Sequence, residues 1–406
     1  MDEKVTRVEH LPRVSTENAA DAAAELRDWL SDRTGAALKY ICQTAFTIEE
    51  TRGKTENVIG AAHLPIGVAG PLIIKGDNAN GTFYVPMATT EGTLVATYQH
   101  GMRATAKAGG VNAYVLDDML DITPAFVVRD LAQARALVTW VQDHMEAVRA
   151  AVESTTRHGR LVEVRPHIFG RHVLLQFFLS TGDAMGMNMI NIAVNRAGQM
   201  IADNFPIERW YLRSNYSSDK KAAGINLFRA YGKEVLADVT LPGYVVRNFL
   251  GTTAEELCAF LDVSIAGSMQ AGMLGFNAHF ANGLAALYIA CGQDPAQIVN
   301  ASIGFVHVER VNEDDLHVSV RLPNVVVGTV GGGTSLPTQR ECLGILGCEG
   351  EGKARKFAEI VGSTLLCDEL GIGSALASGR FAQAHEQNRG NAQSATSSSA
   401  SSTSGG

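Results

Sequence analysis

The feature that most constrains the fold is a long stretch with almost no charge in the second half of the chain. From 254 to 292 the residues are apolar nearly all round a helical projection, and Asp294 is the only Asp, Glu, Lys or Arg between Asp262 and Glu309. A helix without a polar face has to lie inside the protein. We therefore predict a central, fully buried helix over 254–292.

Two more acids stand alone in uncharged surroundings. Glu91 lies in PMATTEGTLVAT and Asp183 in STGDAMGMNMI, each more than ten positions from the next charged residue. A carboxylate in such surroundings is expected to be desolvated, which disfavours its ionised form unless a cation or hydrogen-bond donors meet it. One such acid can serve a structural salt bridge, but three in one chain, counting Asp294, favour an active site.

Length and charge bound the class of protein. The chain has 406 residues, enough for about two to three domains with a sizeable core. A net charge of −8 and a pI near 5.8 argue against a nucleic-acid partner and against a polybasic membrane contact. Residues 391–406 are Ser-rich and of low complexity, which predicts a disordered tail.

The sequence also predicts a cytoplasmic protein without a metal. Its start, MDEKVTRVEHLPRV, is charged and lacks the apolar core of a secretory signal. No apolar run reaches the roughly 18 residues of a membrane span. Six cysteines are scattered without CxxC spacing, a pattern typical of reduced thiols in a cytosol, and HExxH is absent. We therefore expect no metal site and no membrane partner.

Two segments could hold a nucleotide. Residues 328–334, GTVGGGT, follow a strand-like run, and glycine lets backbone N–H groups approach a phosphate or ribose closely. Asp183 and its small neighbours open a helix, where N–H donors could face a ligand or Asp183 could simply cap the helix. GIGSAL at 371–376 fits GxGxxG only in part and is interpreted as a helix-packing segment, so a Rossmann domain is not predicted.

A lysine pair and a histidine remain to be placed. Lys220 and Lys221 lie in the polar loop SNYSSDKK, ahead of the small and apolar AAGINLF. Lysine pairs are usually solvated, but one of these could point inward against an acid. His385 lies in a late helix near the Ser-rich tail, and by itself it indicates only a surface histidine.

Six motifs together resemble one family. In chain order they read ENVIGAAHLPIGVAGPL (56–72), PMATTEG (86–92), GDAMGMNMI (182–190), SDKKAAGIN (218–226), FNAHFAN with IACGQDPAQ (276–297) and GTVGGGT (328–334). They resemble hydroxymethylglutaryl-CoA (HMG-CoA) reductase over about residues 50–390. The DKKAAGIN form is similar to the class I branch of that family, without its membrane region.

The resemblance implies an α+β fold and a dimer. In the family, a large domain surrounds a long buried central helix, and a small ferredoxin-like nucleotide-binding domain is inserted into it. An obligate homodimer, or a higher assembly of dimers, places the active sites between subunits. The implied divisions are an N-terminal helical segment at 1–50, the large catalytic domain at 51–130 and 212–390, the small NADP-binding domain at 131–211 and the tail at 391–406.

The resemblance also implies a reaction and four catalytic residues. The family reduces a thioester to a primary alcohol with two NADPH, through a bound hemithioacetal and an aldehyde. Lys220 would stabilise the oxyanion, and Glu91 would give a proton to the aldehyde oxygen from a dry pocket that raises its pKa. Asp294 would sit between Glu91 and Lys220 and hold their hydrogen bonds. His385 would protonate the departing thiolate.

The cofactor positions follow from the same motifs. Thr156 and Arg157 match the residues that hold the 2′-phosphate, which favours NADPH over NADH. The segments that open the predicted helix and form the Gly-rich loop would hold the rest of the dinucleotide. Those positions are Asp183, Met185, Gly186, Met187, Asn188, Gly328, Thr329, Val330, Gly331 and Gly332.

The departures from the family cluster on recognition of the thioester. Arg213 replaces a serine and Asp262 a lysine at positions that hold the HMG carboxylate, while His100 and Gly251 replace an arginine and a lysine that meet CoA. The implied substrate contacts are Arg103, Arg129, Arg213, Ser214, Asn215, Asp219, Lys221 and Asn282. Either the departures are compensated and the substrate is HMG-CoA, or the enzyme takes another acyl thioester, such as one on a carrier protein.

A third hypothesis is a catalytically silent protein that binds a nucleotide or an acyl group. The retained residues Glu91, Lys220, Asp294 and His385 argue against it, because a chain that has lost catalysis has no reason to keep charges in apolar surroundings.

Overall fold

The computed structural model describes residues 11–12 and 18–379. In that part of the chain the strands are β1 (Ile66–Gly76), β2 (Asn80–Ala88), β3 (Val111–Ile122), β4 (Ala125–Val127), β5 (Arg160–Phe169), β6 (His172–Ser180), β7 (Arg209–Tyr211), β8 (Gly232–Leu241), β9 (Phe305–Val311) and β10 (Asp315–Val325). The helices are α1 (Ala19–Thr34), α2 (Leu94–Lys107), α3 (Leu131–Asp143), α4 (Met145–Glu153), α5 (Met187–Asn204), α6 (Gly243–Val245), α7 (Ala254–Gln270), α8 (Phe280–Ala290), α9 (Ile298–Ala301), α10 (Pro337–Ile345) and α11 (Ala354–Ala377). Short 3-10 turns lie at Ile48–Thr51, Gly224–Leu227, Pro295–Gln297 and Gly332–Ser335, and a π-helical turn lies at Val246–Leu250.

The strands form a mixed, mostly antiparallel sheet in which β3 is shared. The sheet order is β7-β4-β6-β3-β8-β10-β9, with β1 and β2 attached beside β3 and with β5 beside β6. The body of β3, from Asn112 to Met119, pairs with β8, whereas its last residues, Leu120 to Ile122, pair with β6. One strand therefore joins the two halves of the sheet.

Each half of the sheet carries its own hydrophobic cluster. The larger cluster packs β1, β2, β8 and β10 against α2, α8 and α11. The smaller cluster packs β6 and the end of β3 against α3, α4 and α5. The sequence over 131–160 predicts a helix, and LVEVRPHIF and HVLLQFFL after it predict strands. The structure has α3 and α4 in the first segment, followed by β5 and β6.

The buried helix of the larger cluster is α11, and not the segment predicted for that place. Every residue from Phe357 to Ser374 is buried, although the helix carries Glu359, Asp368 and Glu369. Within the described residues, α11 is the one helix long and apolar enough to cross a membrane, and it lies inside the protein core. Because α11 carries these three acids, the search for uncharged stretches of sequence did not identify it as the buried helix.

The prediction of one buried helix over 254–292 is wrong. That stretch forms two helices, α7 and α8, and α7 is partly on the surface, with Val263 and Met269 exposed by 72% and 65%. The break is due to Gly272 and Gly275, which adopt positive φ angles of 69° and 88°. A Cβ on Gly275 would lie 2.6 Å from the carbonyl oxygen of Gly304. The backbone therefore turns at Gly275 in a space against Gly304 that only glycine fits.

Small residues let α11 pack closely on its neighbours. A Cβ on Gly371 would lie 2.4 Å from the Thr97 carbonyl oxygen of α2, and one on Gly101 would lie 1.7 Å from the Cys367 carbonyl oxygen. Helices α2 and α11 therefore cross at a distance that only glycine permits at these two points. Gly371 belongs to GIGSAL, so the interpretation of that segment as helix packing is confirmed.

Candidate active site

The first element of the site is an ion pair between two loops. Lys220 lies at the tip of SNYSSDKK, where Ser218 and Lys220 itself adopt positive φ angles of 58° and 56°. Its Nζ lies 2.6 Å from Oδ2 of Asp294, and the two side chains are 40% and 26% exposed. Asp294 also caps the 3-10 turn that follows α8, by accepting a hydrogen bond from the Ala296 backbone N–H at 3.0 Å. One lysine of the pair is thus directed at an acid.

Glu91 lies apart from this pair within the chain. Its Oε2 accepts a hydrogen bond from Asn282 Nδ2 at 2.8 Å, and its Oε1 lies 3.6 Å from Nε2 of His279. Among the described residues, no hydrogen bond or ion pair joins Glu91 to Lys220 or Asp294. The Glu91 side chain is 43% exposed, so the expected desolvation of this acid is not met inside one chain.

A buried group that sequence reasoning missed lies behind Glu91. His279 Nδ1 is 3.1 Å from Oδ2 of Asp368, whose side chain is fully buried on α11. Glu369, the next residue, accepts hydrogen bonds from the backbone N–H groups of Ala278 and His279 at 2.9–3.1 Å. The signal that could have found it is the pair of adjacent acids within the apolar run 357–377.

Burial and the charges of neighbouring residues shift the pKa values of His279, Asp368 and Glu369. Burial lowers the pKa of the His279 imidazole, but the hydrogen bond and charge of Asp368, aided by Glu91, outweigh it and raise that pKa. Burial raises the pKa of Asp368. Burial, followed by the charge of Asp368, raises the pKa of Glu369 to about 8. Glu369 therefore keeps its proton at neutral pH.

Asp183 holds the start of the buried helix. Its carboxylate accepts hydrogen bonds from the backbone N–H groups of Gly352, Lys353 and Ala354 at 2.6–3.0 Å, at the first turn of α11. Burial raises the pKa of Asp183, but these three donors outweigh it and the net pKa is lowered. Asp183 is therefore a cap, although of α11 and not of the helix that follows it in sequence.

Next to Asp183 lies a cleft of about 370 Å³. The Asp183 segment and the Gly-rich loop form its two walls, joined by a parallel bridge between Ala184 and Val330 and by a hydrogen bond of 2.8 Å from the Thr329 N–H to the Asp183 carbonyl. The predicted cofactor residues that line it are Met185, Gly186, Asn188, Gly328, Val330, Gly331 and Gly332, and Asp294 lines it as well. The structure thus brings two distant motifs and a predicted catalytic acid to one cleft.

Two predicted cofactor residues do not face the cleft. Met187, the first residue of α5, is buried, and its sulfur accepts a hydrogen bond from the Tyr231 hydroxyl at 3.4 Å. Thr329 is buried and donates to the Gly350 carbonyl at 2.7 Å. Both lie within the walls and support the cleft from behind.

Thr156 reaches the cleft through a methionine, whereas Arg157 is on the surface. The Thr156 hydroxyl lies 2.8 Å from the sulfur of Met189, which lines the cleft, and it accepts hydrogen bonds from the N–H groups of His158 and Gly159. Arg157 is exposed on the turn that these bonds shape.

The predicted substrate residues fall into two groups. One surrounds the Lys220 loop: Arg213 pairs with Asp219 at 2.9 Å, Asp219 accepts from Gln297 Nε2 at 2.9 Å, and Lys221 donates to the Asp219 carbonyl at 3.0 Å. Ser214 and Asn215 belong to the same loop, the first bonded to the Thr123 carbonyl and the second with a φ of 65°. Asn282 lies on Glu91, as described above.

The second group is scattered over the surface. Arg129 pairs with its neighbour Asp130 and is 75% exposed. Arg103 lies over the ring of Phe249 at 5.5 Å, on which His100 stacks at 4.9 Å.

Three further positions singled out in the sequence are Asp262, Gly251 and His385. Asp262 is exposed on α7, and Gly251 ends the π-helical turn with a φ of 66°. His385 lies outside the described residues. Within the described part of the chain, no group of three or more His, Cys, Asp or Glu is placed to hold a metal ion.

The fold and the cleft define a mixed α/β protein in which a lysine–aspartate pair adjoins a glycine-lined ligand cleft. The sequence model of hydroxymethylglutaryl-coenzyme A reductase matches residues 22–389. The 3-hydroxy-3-methylglutaryl-coenzyme A reductases of Aeropyrum pernix and Methanocaldococcus jannaschii are 44% and 40% identical, covering 91% and 89% of this chain and 90% and 91% of theirs. The chain belongs to the hydroxymethylglutaryl-coenzyme A reductase family, a family of oxidoreductases.

A solved structure of the family has the same fold. The class II 3-hydroxy-3-methylglutaryl-CoA reductase from Streptococcus pneumoniae bound to NADPH matches with a TM-score of 0.66 at 19% identity, covering 87% of this chain and 97% of that one. The narrower expectation of a class I form is not supported by these comparisons, since the class that is named among them is class II.

Proposed function

We propose that this protein reduces HMG-CoA to mevalonate and free CoA with two NADPH, through a hemithioacetal and an aldehyde. The observation that carries the proposal is the meeting of Lys220, Asp294 and the glycine-lined cleft in a chain of this family. NADPH, when bound in the cleft, supplies the hydride for each of the two reductions. The chain's own residues supply the charges and the protons.

Lys220 stabilises the negative oxygen that develops on the thioester carbonyl and later on the aldehyde. Its ammonium is fixed by Asp294, which lines the cleft, with 2.6 Å between Nζ and Oδ2. A charge held in place before the reaction needs no reorganisation as the oxyanion forms, which is why such groups contribute strongly to catalysis.

Glu91 gives a proton to the oxygen of the aldehyde, and His385 gives one to the departing thiolate. Because Glu91 is 43% exposed in one chain, a second subunit is needed to dry its surroundings and bring it towards Lys220. We therefore infer a homodimer whose active site lies at the subunit interface. His385 enters on sequence resemblance alone.

The cleft has features that fit a dinucleotide. Gly331 and Gly332 have positive φ angles of 77° and 56°, and a Cβ added at either would meet no atom within 4 Å, so their backbone groups border open space. Arg157 is exposed on the turn held by Thr156, and it has no ion-pair partner among the described residues. A guanidinium so placed can pair with the 2′-phosphate of NADPH.

A second candidate substrate is another acyl thioester, on CoA or on a carrier protein. The observation that favours it is the engagement of Arg213, whose guanidinium already bonds Asn191 and Asp219 at 2.9–3.1 Å. Arg213 would have to leave these partners to replace a carboxylate-binding lysine. In the described part of the chain, Arg213 therefore does not make up for the replacement of that lysine by the exposed Asp262.

The remaining features belong to the same proposal. We expect an inserted ferredoxin-like domain at about 131–211 and a catalytic domain at 51–130 and 212–390. Most of the smaller hydrophobic cluster comes from 131–211, although it also contains Leu120, Ile122, Phe126 and Val128 before that range and Tyr231 and Val326 after it. We expect the dimer to work in the cytoplasm, with no metal, no nucleic acid and no membrane partner.

An NADPH oxidation assay with a substrate panel tests the proposal. HMG-CoA, other acyl-CoA thioesters and carrier-bound acyl groups are compared under one set of conditions, and the alcohol product is identified by mass spectrometry. Turnover of HMG-CoA with a Michaelis constant in the micromolar range supports the first candidate. Preference for another thioester supports the second candidate. Binding of NADPH without its oxidation by any substrate would contradict both candidates and would support a silent binding protein.

A further inference from the structure

We propose that His279, held by Asp368, is a positioning residue that orients Glu91 and returns a proton to it between turnovers. This inference rests on the proposed function, in which Glu91 gives one proton to the substrate in each cycle. It adds a source for the next proton and a reason for a charged group in the core. It also explains why α11 carries adjacent acids in its most apolar part.

Asp368, His279 and Glu91 form a chain of contacts that runs from the protein core to the candidate active site. The buried Asp368 lies 3.1 Å from Nδ1 of His279, and Nε2 on the other side of the ring lies 3.6 Å from Oε1 of Glu91. A carboxylate at Nδ1 keeps a proton on that nitrogen, so Nε2 is the atom that exchanges protons with Glu91. The 3.6 Å gap is wider than a hydrogen bond, and the exposed Glu91 side chain is free to close it.

The ring is fixed more firmly than a surface histidine would be. Glu369 accepts a hydrogen bond from the backbone N–H of His279 at 2.9 Å, and Asp368 bonds Nδ1 of its ring at 3.1 Å. Two successive residues of α11 therefore fix both the backbone and the side chain of His279. His279 is only 17% exposed and starts α8. On the far side, Asn282 holds the second oxygen of Glu91 at 2.8 Å, which leaves Oε1 for the ring.

The charges around the ring favour its protonated form. The groups that face His279 are Asp368 and Glu369 from α11 and Glu91 from the segment before α2, and the buried Tyr98 of α2 lies beside Asp368. The hydrogen bond and charge of Asp368, followed by the charge of Glu91, raise the pKa of His279 despite its burial. The raised pKa favours the imidazolium beside a carboxylate that has just lost its proton.

The proton balance closes without any further reagent. The O–H bond of the Glu91 carboxyl breaks as an O–H bond forms on the substrate alkoxide. The Nε2–H bond of the imidazolium then breaks as a new O–H bond forms on Oε1 of Glu91. Nε2 of the neutral imidazole then takes up a proton from the buffered solvent, which is the proton that the reduction consumes, and no electrons move in either step.

Histidine NMR tests the coupling without any need for activity. The Nε2 and Nδ1 signals of His279, assigned by their loss in His279→Gln, are titrated in the full-length protein, in Asp368→Asn and in Glu91→Gln. We expect the His279 pKa to fall by about one unit or more in Asp368→Asn and by a smaller amount in Glu91→Gln. Since Glu91 is exposed, its variant keeps the test open even if the Asp368 variant fails to fold.

The pH profile of turnover tests the role in catalysis. In Asp368→Asn the alkaline limb of kcat should move to lower pH by the same amount as the NMR midpoint. In His279→Gln, which keeps an amide near Glu91 but carries no exchangeable charge, kcat should fall at least tenfold with little change in KM. The matched control is His317→Gln, which removes another histidine paired with an aspartate, Asp238 at 3.8 Å, and should leave the profile unchanged.

The outcomes separate the two proposals. If Glu91→Gln keeps normal turnover, Glu91 is not the acid and the proposed mechanism fails together with this inference. If Glu91→Gln is inactive but the limb stays in place in Asp368→Asn, only the inference fails. A His279 pKa that responds to neither carboxylate overturns the inference whatever the activity.

Discussion

Lys220 and Asp294 meet at 2.6 Å, although they are 74 positions apart in the chain and each lies in a different loop. The lysine is presented by a loop with several positive φ angles, and the aspartate by the turn that ends α8. Backbone held in the left-handed region at Ser218 and Lys220 costs of order 1 kcal/mol or more per residue, and such strain is usually found where a side chain has to be placed accurately. The contact therefore links the DKKAAGIN motif to the cleft.

Asp294→Asn should lower kcat about a hundredfold or more and leave stability almost unchanged. The amide is uncharged and cannot fix the ammonium of Lys220 as the carboxylate does, so the oxyanion loses a preorganised partner. A half-exposed ion pair contributes at most about 1 kcal/mol to folding. Steady-state kinetics and urea unfolding measure the two effects.

The matched control for that variant is Asp314→Asn. Asp314 pairs with Arg247 at 2.8 Å on the surface, away from the cleft, so its loss should change neither rate nor stability noticeably. Equal loss of activity in both variants would mean that the effect of Asp294→Asn is not due to the active site.

Arg157→Ala should raise the Michaelis constant for NADPH about tenfold or more, while use of NADH changes little. A charge-assisted contact with the 2′-phosphate is worth roughly 1.5–3 kcal/mol, and NADH has no such phosphate. Arg135→Ala, at another exposed arginine of the same half of the chain, serves as the control. An unchanged preference for NADPH would place the 2′-phosphate elsewhere.

Local patterns predicted the parts of this protein that depend on neighbours in sequence. Strands β5 and β6 and helices α3 and α4 follow from periodicity, and the Gly-rich loop follows from its composition. The cleft itself needed two motifs to be placed together, which family resemblance indicated and which residue patterns alone left open.

Long-range contacts explain what the sequence did not reveal. The apolar stretch 254–292 is broken because Gly275 packs on Gly304, a contact that no local pattern contains. The acids Asp368 and Glu369 are stable in the core because His279 and its backbone meet them from another helix. Glu91 is 43% exposed in this chain, so its isolation in the sequence did not predict its burial.

Asp183→Asn should destabilise the protein by about 1–2 kcal/mol at neutral pH and weaken NADPH binding. The carboxylate accepts three backbone N–H bonds at the positive end of α11, and an amide offers one neutral acceptor oxygen in its place. Its pKa is lowered in the folded state, so the stabilisation is present above the usual value of 3.8 and is lost as pH falls through the lower folded pKa.

The control separates the cap from the cleft. Asp130→Asn also removes a charged cap, the one that accepts the Gln133 N–H at 2.8 Å at the start of α3, but it lies outside the cleft. We expect a smaller loss of stability with unchanged NADPH affinity, because asparagine is also a good N-cap residue. If Asp183→Asn behaves the same way, Asp183 is only a helix cap and has no influence on the cofactor.

Glu369→Gln should gain stability relative to the parent protein as pH rises from about 4.5 to about 8. Burial and the charge of Asp368 raise the pKa of Glu369 from 4.5 to about 8, so the folded state keeps a proton that the unfolded chain loses across this range. The unfolded state then binds fewer protons, and the free energy of unfolding of the parent falls with rising pH by at most about 1.4 kcal/mol per unit. The glutamine variant resembles the protonated acid and lacks this dependence. Urea unfolding of both proteins at pH 4, 6 and 8.5 measures the difference, with pH 4 as the reference at which the two should be closest. A difference that stays constant from pH 4 to 8.5 would mean that Glu369 is ionised in the core, and that its contacts with the Ala278 and His279 backbone are charged.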